Sequence, residues 1–288
     1  MIKDPRMRFE FGANWMRFLQ VLDDQRIQEA ERCLRTSLMV ERLDGKRFLD
    51  VGSGSGLSSL VSRKLGATVH SFDFDKKSVA CTAELRRRYF PDDPHWVVEQ
   101  GSALDSTYVK SLGEFDVVYS WGVLHHTGAM WVAIENTLSA VKPGGLLLLA
   151  LYNDQGWWSR VWWLIKYVCV KLPRWLQIPY SFTIYFLILA LSVVKNLLLL
   201  RFRSAFLPLK KLWKAKPARG MNVWHDILDW MGGMPFEFVG YDVVTEYMRL
   251  RKFQLIGGTP NPGLGCHEHV FLREPSSVST DPAIRAES

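Results

Sequence analysis

A chain of 288 residues with 48% apolar and 23% charged side chains is long enough for one substantial core plus an insertion, which excludes a disordered or low-complexity chain. The net charge of +7 is unevenly placed: Gln155 to His225 holds twelve Lys or Arg and no Asp or Glu, against 24 basic and 29 acidic side chains elsewhere. Four scattered cysteines without a C-x-x-C pair exclude a compact disulfide framework, and the start "MIKDPRMRFEF" has no apolar stretch of the secretory kind, so a reducing compartment, the cytoplasm, is expected.

Residues 1–45 read as a helical cap, with Ile27, Ala30, Leu34 and Leu38 at helical spacing. From Lys46 strand and helix alternate. "RFLDV" is a strand, and "GLSSLVSRKLG" a helix with Leu57, Leu60, Val61 and Leu65 on one face and Gly66 at its end. "ATVHSFDFD" is the next strand and Lys76 to Tyr89 the next helix. "HWVVEQGS" and "FDVVYSWGV" are two more strands; "AMWVAIENTLSAV" is a helix ended by "KPGG", and "LLLLALY" is a fifth strand, apolar on both faces like a buried parallel strand. After residue 152 the alternation stops, to resume with the helix "GYDVVTEYMRLRKF" and two closing strands, "QLIGG" and "CHEHVFLRE", close enough to pair antiparallel. This pattern predicts a doubly wound α/β sheet, with a core of residues 46–152 and 239–274, an insertion at 153–238 and a disordered tail at 275–288.

The stretch "FLDVGSGSG" places Gly52, Gly54 and Gly56 between the first strand and first helix, where a doubly wound sheet binds ligands at its carboxyl edge. The third glycine comes one residue too early for the dinucleotide pattern, and no Gly-Lys-Ser/Thr follows, which excludes a P-loop. With "SFDFD" closing the second strand, "EQGSALD" after the third, "FDVVYSWGVLHH" at the fourth and "VKPGGLLLL" into the fifth, the chain resembles the class I S-adenosylmethionine-dependent methyltransferases, in flavour nearest the quinone-type O-methyltransferases of polyprenyl phenols. The resemblance implies a seven-stranded Rossmann-like sheet and S-adenosyl-L-methionine as cofactor. It implies that Asp50 anchors the glycine loop and that Gly52, Ser53 and Gly54 pass the methionyl part. It places Asp73 at the ribose hydroxyls, Phe74 against adenine, Ser102 and Ala103 at the adenine edge, and Ser120 and Trp121 beneath the sulfonium, with Phe11 and Trp15 as a roof.

Methyl transfer needs alignment above all, and a base only where the nucleophile carries a proton. His125 and His126, just past the fourth strand, are the candidate bases, with structural roles as the alternative. The quinone-type E-x-x-E-H metal motif is replaced here by Gly122, His125 and His126, so no metal is carried over. In "CHEH", alternation puts His267 and His269 on one face of a strand and Glu268 on the other, which suits a polar strand better than a ligand set.

Within the insertion, Gln155 to His225 holds seven of the twelve tryptophans, and Trp175 to Val194 is uncharged over twenty residues. It admits a spanning helix, an interfacial helix on an anionic membrane through residues 155–225, or a buried lid or oligomer contact; boundary tryptophans and flanking cations suit the interfacial reading best. The long aliphatic run argues against nucleic acid. His225, Asp226 and Trp230 are candidate acceptor contacts. The expectation is a methyltransferase acting at oxygen on a hydrophobic or lipid-like acceptor, peripheral to the inner face of a membrane. The alternatives are N- or C-methylation of a soluble acceptor, or a non-catalytic cofactor-binding membrane protein.

Overall fold

The computed structural model describes residues 11–201, 231–263 and 265–275. Seven strands form one sheet in the order β3-β2-β1-β4-β5-β7-β6. They are β1 (Arg47–Val51), β2 (Thr68–Asp73), β3 (Trp96–Gln100), β4 (Phe115–Trp121), β5 (Val141–Tyr152), β6 (Phe253–Thr259) and β7 (Cys266–Arg273). The first five are parallel, whereas β7 runs antiparallel to both β5 and β6. The hairpin thus inserts its second strand beside β5, leaving β6 at the edge.

The helices among the described residues are α1 (Phe11–Phe18), α2 (Asp24–Leu38), α3 (Leu57–Lys64), α4 (Lys76–Tyr89), α5 (Ser106–Ser111), α6 (Met130–Leu138), α7 (Trp157–Lys171), α8 (Arg174–Leu198) and α9 (Tyr241–Arg249). Each expected apolar face is found buried: Ile27, Ala30, Leu34 and Leu38 of α2, and Leu57, Leu60 and Val61 of α3, close one side of the sheet. Met130, Ala133, Ile134 and Leu138 of α6, with Val244 and Met248 of α9, close the other. Gly66 follows α3 at φ +102°, a left-handed backbone that glycine adopts without strain.

Two local expectations are corrected. "KPGG" does not end a helix: α6 stops at Leu138, and Lys142 to Gly145 lie inside β5, where the pairing with β4 slips between Phe115 and Val117. A bulge uses the same glycine punctuation as a turn. An element not expected from sequence is α5, a short polar helix whose start Asp105 caps by accepting the N–H groups of Thr107 and Tyr108, each at 3.0 Å.

After β5 the chain forms the α7–α8 pair, and Met231 to Val239 returns to the sheet. Val239 pairs with Asn153, and Glu237 N–H donates to the carbonyl of His125. A separate apolar cluster of Trp162, Met231, Met234 and Phe236, with Phe182, Tyr185 and Ile188 against it, seats the pair on the core. Of the tail expected at 275–288, residues 276–288 lie outside the described residues.

Candidate active site

The carboxyl ends of β1, β2 and β4 meet the glycine loop, α1 and the return of the insertion. Gly52 and Ser53 donate their N–H groups to Phe72 O at 2.9 and 3.0 Å, which binds the loop to β2. Gly52 (φ +79°) and Gly54 (φ +55°) are both left-handed and tightly faced: a Cβ on Gly52 would lie 2.3 Å from Val123 Cγ1, and one on Gly54 3.0 Å from Trp15 Nε1. The loop therefore passes closely between the residue two before His125 and the indole of α1.

Asp73, at the end of β2, accepts the Gly54 N–H through Oδ2 at 2.9 Å and the Asp75 N–H through Oδ1 at 2.8 Å. Phe74 beside it is half exposed. Ser102 and Ala103 follow β3; the Ser102 hydroxyl accepts the Leu104 N–H at 3.2 Å, and Ala103 O accepts the Asn136 amide at 2.9 Å. A fixed carboxylate, an exposed aromatic ring and a small-residue edge along adjacent strand ends fit a nucleoside.

Four expected cofactor residues have the polar groups of their side chains engaged elsewhere. Asp50 is buried and accepts the Ser59 hydroxyl at 2.5 Å; Ser59 in turn accepts from Ser71, and Ser71 from the Trp96 indole. It thus ties β1 to α3 behind the loop. Burial pushes its carboxyl up to about 7, with the Ser59 bond opposing and the nearby Asp73 charge adding to the rise. Ser53 shares a hydrogen bond with Thr82 at 2.8 Å, so it faces the loop with its backbone. Ser120 donates to Val51 O at 3.3 Å. Trp121 donates its indole N–H to Glu268 at 2.7 Å, linking β4 to β7.

His125 and His126 occupy a single helical turn after β4, Leu124–His126. His126 Nδ1 donates to Pro235 O at 2.6 Å, and its ring lies 5.0 Å from that of Phe11. His125 is fully buried, with neither ring nitrogen hydrogen-bonded among the described residues. Its ring packs 4.1 Å from Tyr152 and 4.3 Å from His126. Burial first, then the charges of His126 and Lys166, hold its pKa well below the ordinary 6.5. The pair is thus divided: His126 is held by backbone, and His125 has two buried polar atoms without partners.

Tyr152, Phe236 and Lys166 were missed from sequence. Lys166, counted with the insertion's cations, is fully buried, its Nζ 5.1 Å from the centre of the Tyr152 ring and 4.8 Å from that of Phe236. Tyr152 was visible as the polar-tipped end of β5; nothing in the sequence joins Lys166 and Phe236 to it. Phe11 and Trp15 both reach the site, through His126 and Gly54 respectively. His225, Asp226 and Trp230 lie outside the described residues. His267 and His269 are buried on β7, where His269 stacks on Tyr241 of α9 at 4.1 Å, while Glu268 on the opposite face receives Trp121. Among the described residues, no three His, Cys, Asp or Glu side chains gather as a metal site.

A methyltransferase domain model matches residues 24–183, more than half of the chain. The chain belongs to the methyltransferase domain family. Among curated relatives of this methyltransferase-family chain is the ubiquinone biosynthesis O-methyltransferase of Brucella ovis, 32% identical over 111 residues that cover 38% of this chain and 43% of the relative. Its Vibrio parahaemolyticus counterpart is 28% identical over 123 residues, covering 42% and 51%. The chain thus matches only about half the length of these relatives or less. Similar solved folds include PKMT2 from Rickettsia typhi in complex with AdoHcy, at TM-score 0.56 and 12% identity over 84% of this chain and 52% of that one. Magnesium protoporphyrin IX methyltransferase from Synechocystis with bound SAH gives 0.50 at 14% identity, over 87% and 84%. The fold is that of S-adenosylmethionine-dependent methyltransferases.

Proposed function

We propose that this protein transfers a methyl group from S-adenosyl-L-methionine to a hydroxyl oxygen of a hydrophobic, lipid-like acceptor. The observation that carries the reading is His125: fully buried, with both ring nitrogens unpartnered among the described residues, two residues from the Val123 side chain that covers Gly52. A buried imidazole without partners is costly unless a ligand supplies one. The aromatic rings of Tyr152 and His126 around it suit an apolar acceptor with one polar atom. The ubiquinone-biosynthesis relatives, named as O-methyltransferases, support oxygen as the target.

When bound, S-adenosyl-L-methionine supplies the electrophilic methyl group. Gly52, Gly54 and Asp73 would hold it by loop backbone and carboxylate, with Phe74 at the base and Trp15 above the loop. His125 accepts the hydrogen bond of the acceptor hydroxyl and takes its proton as the oxygen attacks. An oxygen forming a third bond becomes far more acidic than the starting alcohol or phenol, so an imidazole of low pKa suffices as base. His126 and Tyr152 hold the ring in place by packing.

Calorimetric titration with S-adenosylmethionine and S-adenosylhomocysteine is expected to show binding to both; binding to neither overturns the reading. Mass spectrometry of lipid extracts incubated with active protein should then show a species heavier by one CH2 unit. A nitrogen or carbon attachment in the fragment spectrum would replace oxygen as the target.

A further inference from the structure

The α7–α8 pair presents a large apolar surface to solvent. Phe186, Leu187, Leu191, Val194 and Leu198 of α8 are 47, 52, 60, 50 and 79% exposed; the three- and four-residue spacing of the last four puts them on one side of the helix, with Phe186 at its margin. Trp157 and Trp158 at the start of α7 and Trp175 at the start of α8 are more exposed still than most of that stripe. Residues Trp175–Leu198 reach a mean hydropathy of 1.8 with only 6% of the apolar window buried. An apolar stripe of this extent signals a partner.

Charge identifies that partner. From Gln155 to Arg201 there is no Asp or Glu, and Arg160, Lys171, Lys195 and Arg201 are exposed. Against a second copy of this surface these cations would repel one another; against anionic lipid headgroups they are matched, with tryptophan at the boundary. Length and attachment determine the depth. A helix of 25 residues is about 37 Å long, enough to cross a hydrocarbon core of about 30 Å. Its first half, however, is tied to the protein: the Tyr180 hydroxyl donates to Ile165 O at 3.1 Å, Ser181 is buried against Cys169, and Phe182, Tyr185 and Ile188 join the Trp162 and Phe236 cluster. Beyond Ile188 the remaining ten residues span about 15 Å, half the core.

We propose that the α7–α8 pair is a membrane-docking surface that enters one leaflet of an anionic bilayer without crossing it. This goes beyond the methyl-transfer reading and does not depend on it. The cluster seating α8 includes Tyr152 and Phe236, so the docking surface is continuous with the wall of the candidate acceptor site.

The test is flotation of the full chain with phosphatidylcholine vesicles, with and without phosphatidylglycerol. Binding to the anionic vesicles is expected, about tenfold weaker without phosphatidylglycerol or in high salt. The combined Leu187→Glu, Leu191→Glu, Val194→Glu variant should lose about tenfold or more in vesicle affinity, with circular dichroism and S-adenosylhomocysteine binding unchanged. If that variant misfolds, Lys171→Gln with Lys195→Gln should reduce the anionic preference instead. Three results would overturn the proposal. One is equal flotation of wild type and variants; another is a dimer in sedimentation that the Glu variant dissolves while vesicles are never bound. The third is quenching of a fluorophore at Leu198→Cys by an impermeant quencher trapped inside the vesicles, which would mean the helix crosses. Cofactor binding is read separately in every case, so failure of the membrane proposal and failure of the methyl-transfer reading remain distinct.

Discussion

At the scale of single residues, the buried Asp50 and His125 contribute opposite pH dependences. Asp50 holds its proton to about pH 7 in the fold, against an ordinary 3.8. Because the folded chain binds this proton more tightly than the unfolded one, its contribution to stability is complete below the unfolded value and is lost as pH rises through 7. Asp50→Asn keeps an acceptor for Ser59 and cannot ionise. It is expected to exceed the wild type in stability by roughly 1–3 kcal/mol above about pH 8, with the gap closing toward pH 5, in urea unfolding at the two pH values. His125 has the opposite sign: its lowered pKa means the unfolded chain takes the proton first, so stability falls as pH drops below 6.5. Its imidazole stays neutral there, and methyl transfer should persist as pH falls through 6.5 rather than titrate away. His125→Gln should cut kcat by about 10²–10⁴-fold and leave S-adenosylhomocysteine affinity within about twofold. A loss of cofactor affinity as large as the loss of rate would remove His125 from the chemistry. Asp73→Asn should act the other way, weakening cofactor binding about tenfold or more by calorimetry, because it removes the charge that a ribose diol would meet.

At the scale of elements, α1 is the piece that joins the two halves of the site. Gly12 N–H donates to Asp75 at 3.0 Å, Phe11 meets His126, and Trp15 lies over Gly54. Two glycine substitutions separate backbone strain from this contact. Gly122 (φ +74°) has open space where a Cβ would go, whereas Gly54 (φ +55°) meets the Trp15 indole. Gly122→Ala should therefore cost only about 1 kcal/mol in thermal or urea unfolding, with cofactor binding retained. Gly54→Ala should cost more and also weaken S-adenosylhomocysteine binding, since the added methyl displaces the helix that covers the loop. Equal effects of the two would mean that α1 takes no part in the site. The return of the insertion is a second joint: Pro235 O accepts from His126, and the Glu237 carboxylate accepts the Met130 N–H at 3.1 Å.

At the scale of the whole molecule, not every described cation of the basic segment is at the surface. Lys166 is buried among Tyr152 and Phe236, while Arg160, Lys171, Lys195 and Arg201 remain outside beside the apolar stripe. The alternating core was legible residue by residue. The strands and long helices repeat apolar side chains at periods that depend only on local backbone geometry, so Leu60 and Val61 of α3 or Leu147 and Leu149 of β5 identify their own burial. "KPGG" misled because glycine and proline interrupt helices and bulge strands alike, and α5 escaped because six residues are too few to show a period. The glycine loop and Asp73 were equally legible, since a left-handed turn and a strand-end carboxylate are properties of single positions. What only the tertiary structure decided is how residues far apart in the chain divide the work. The adjacent His125 and His126 are indistinguishable in sequence, yet a carbonyl 109 residues downstream engages one and leaves the other unpartnered. Whether the apolar run in α8 is core or surface was likewise open, because hydropathy is a property of the segment whereas exposure depends on what packs against it.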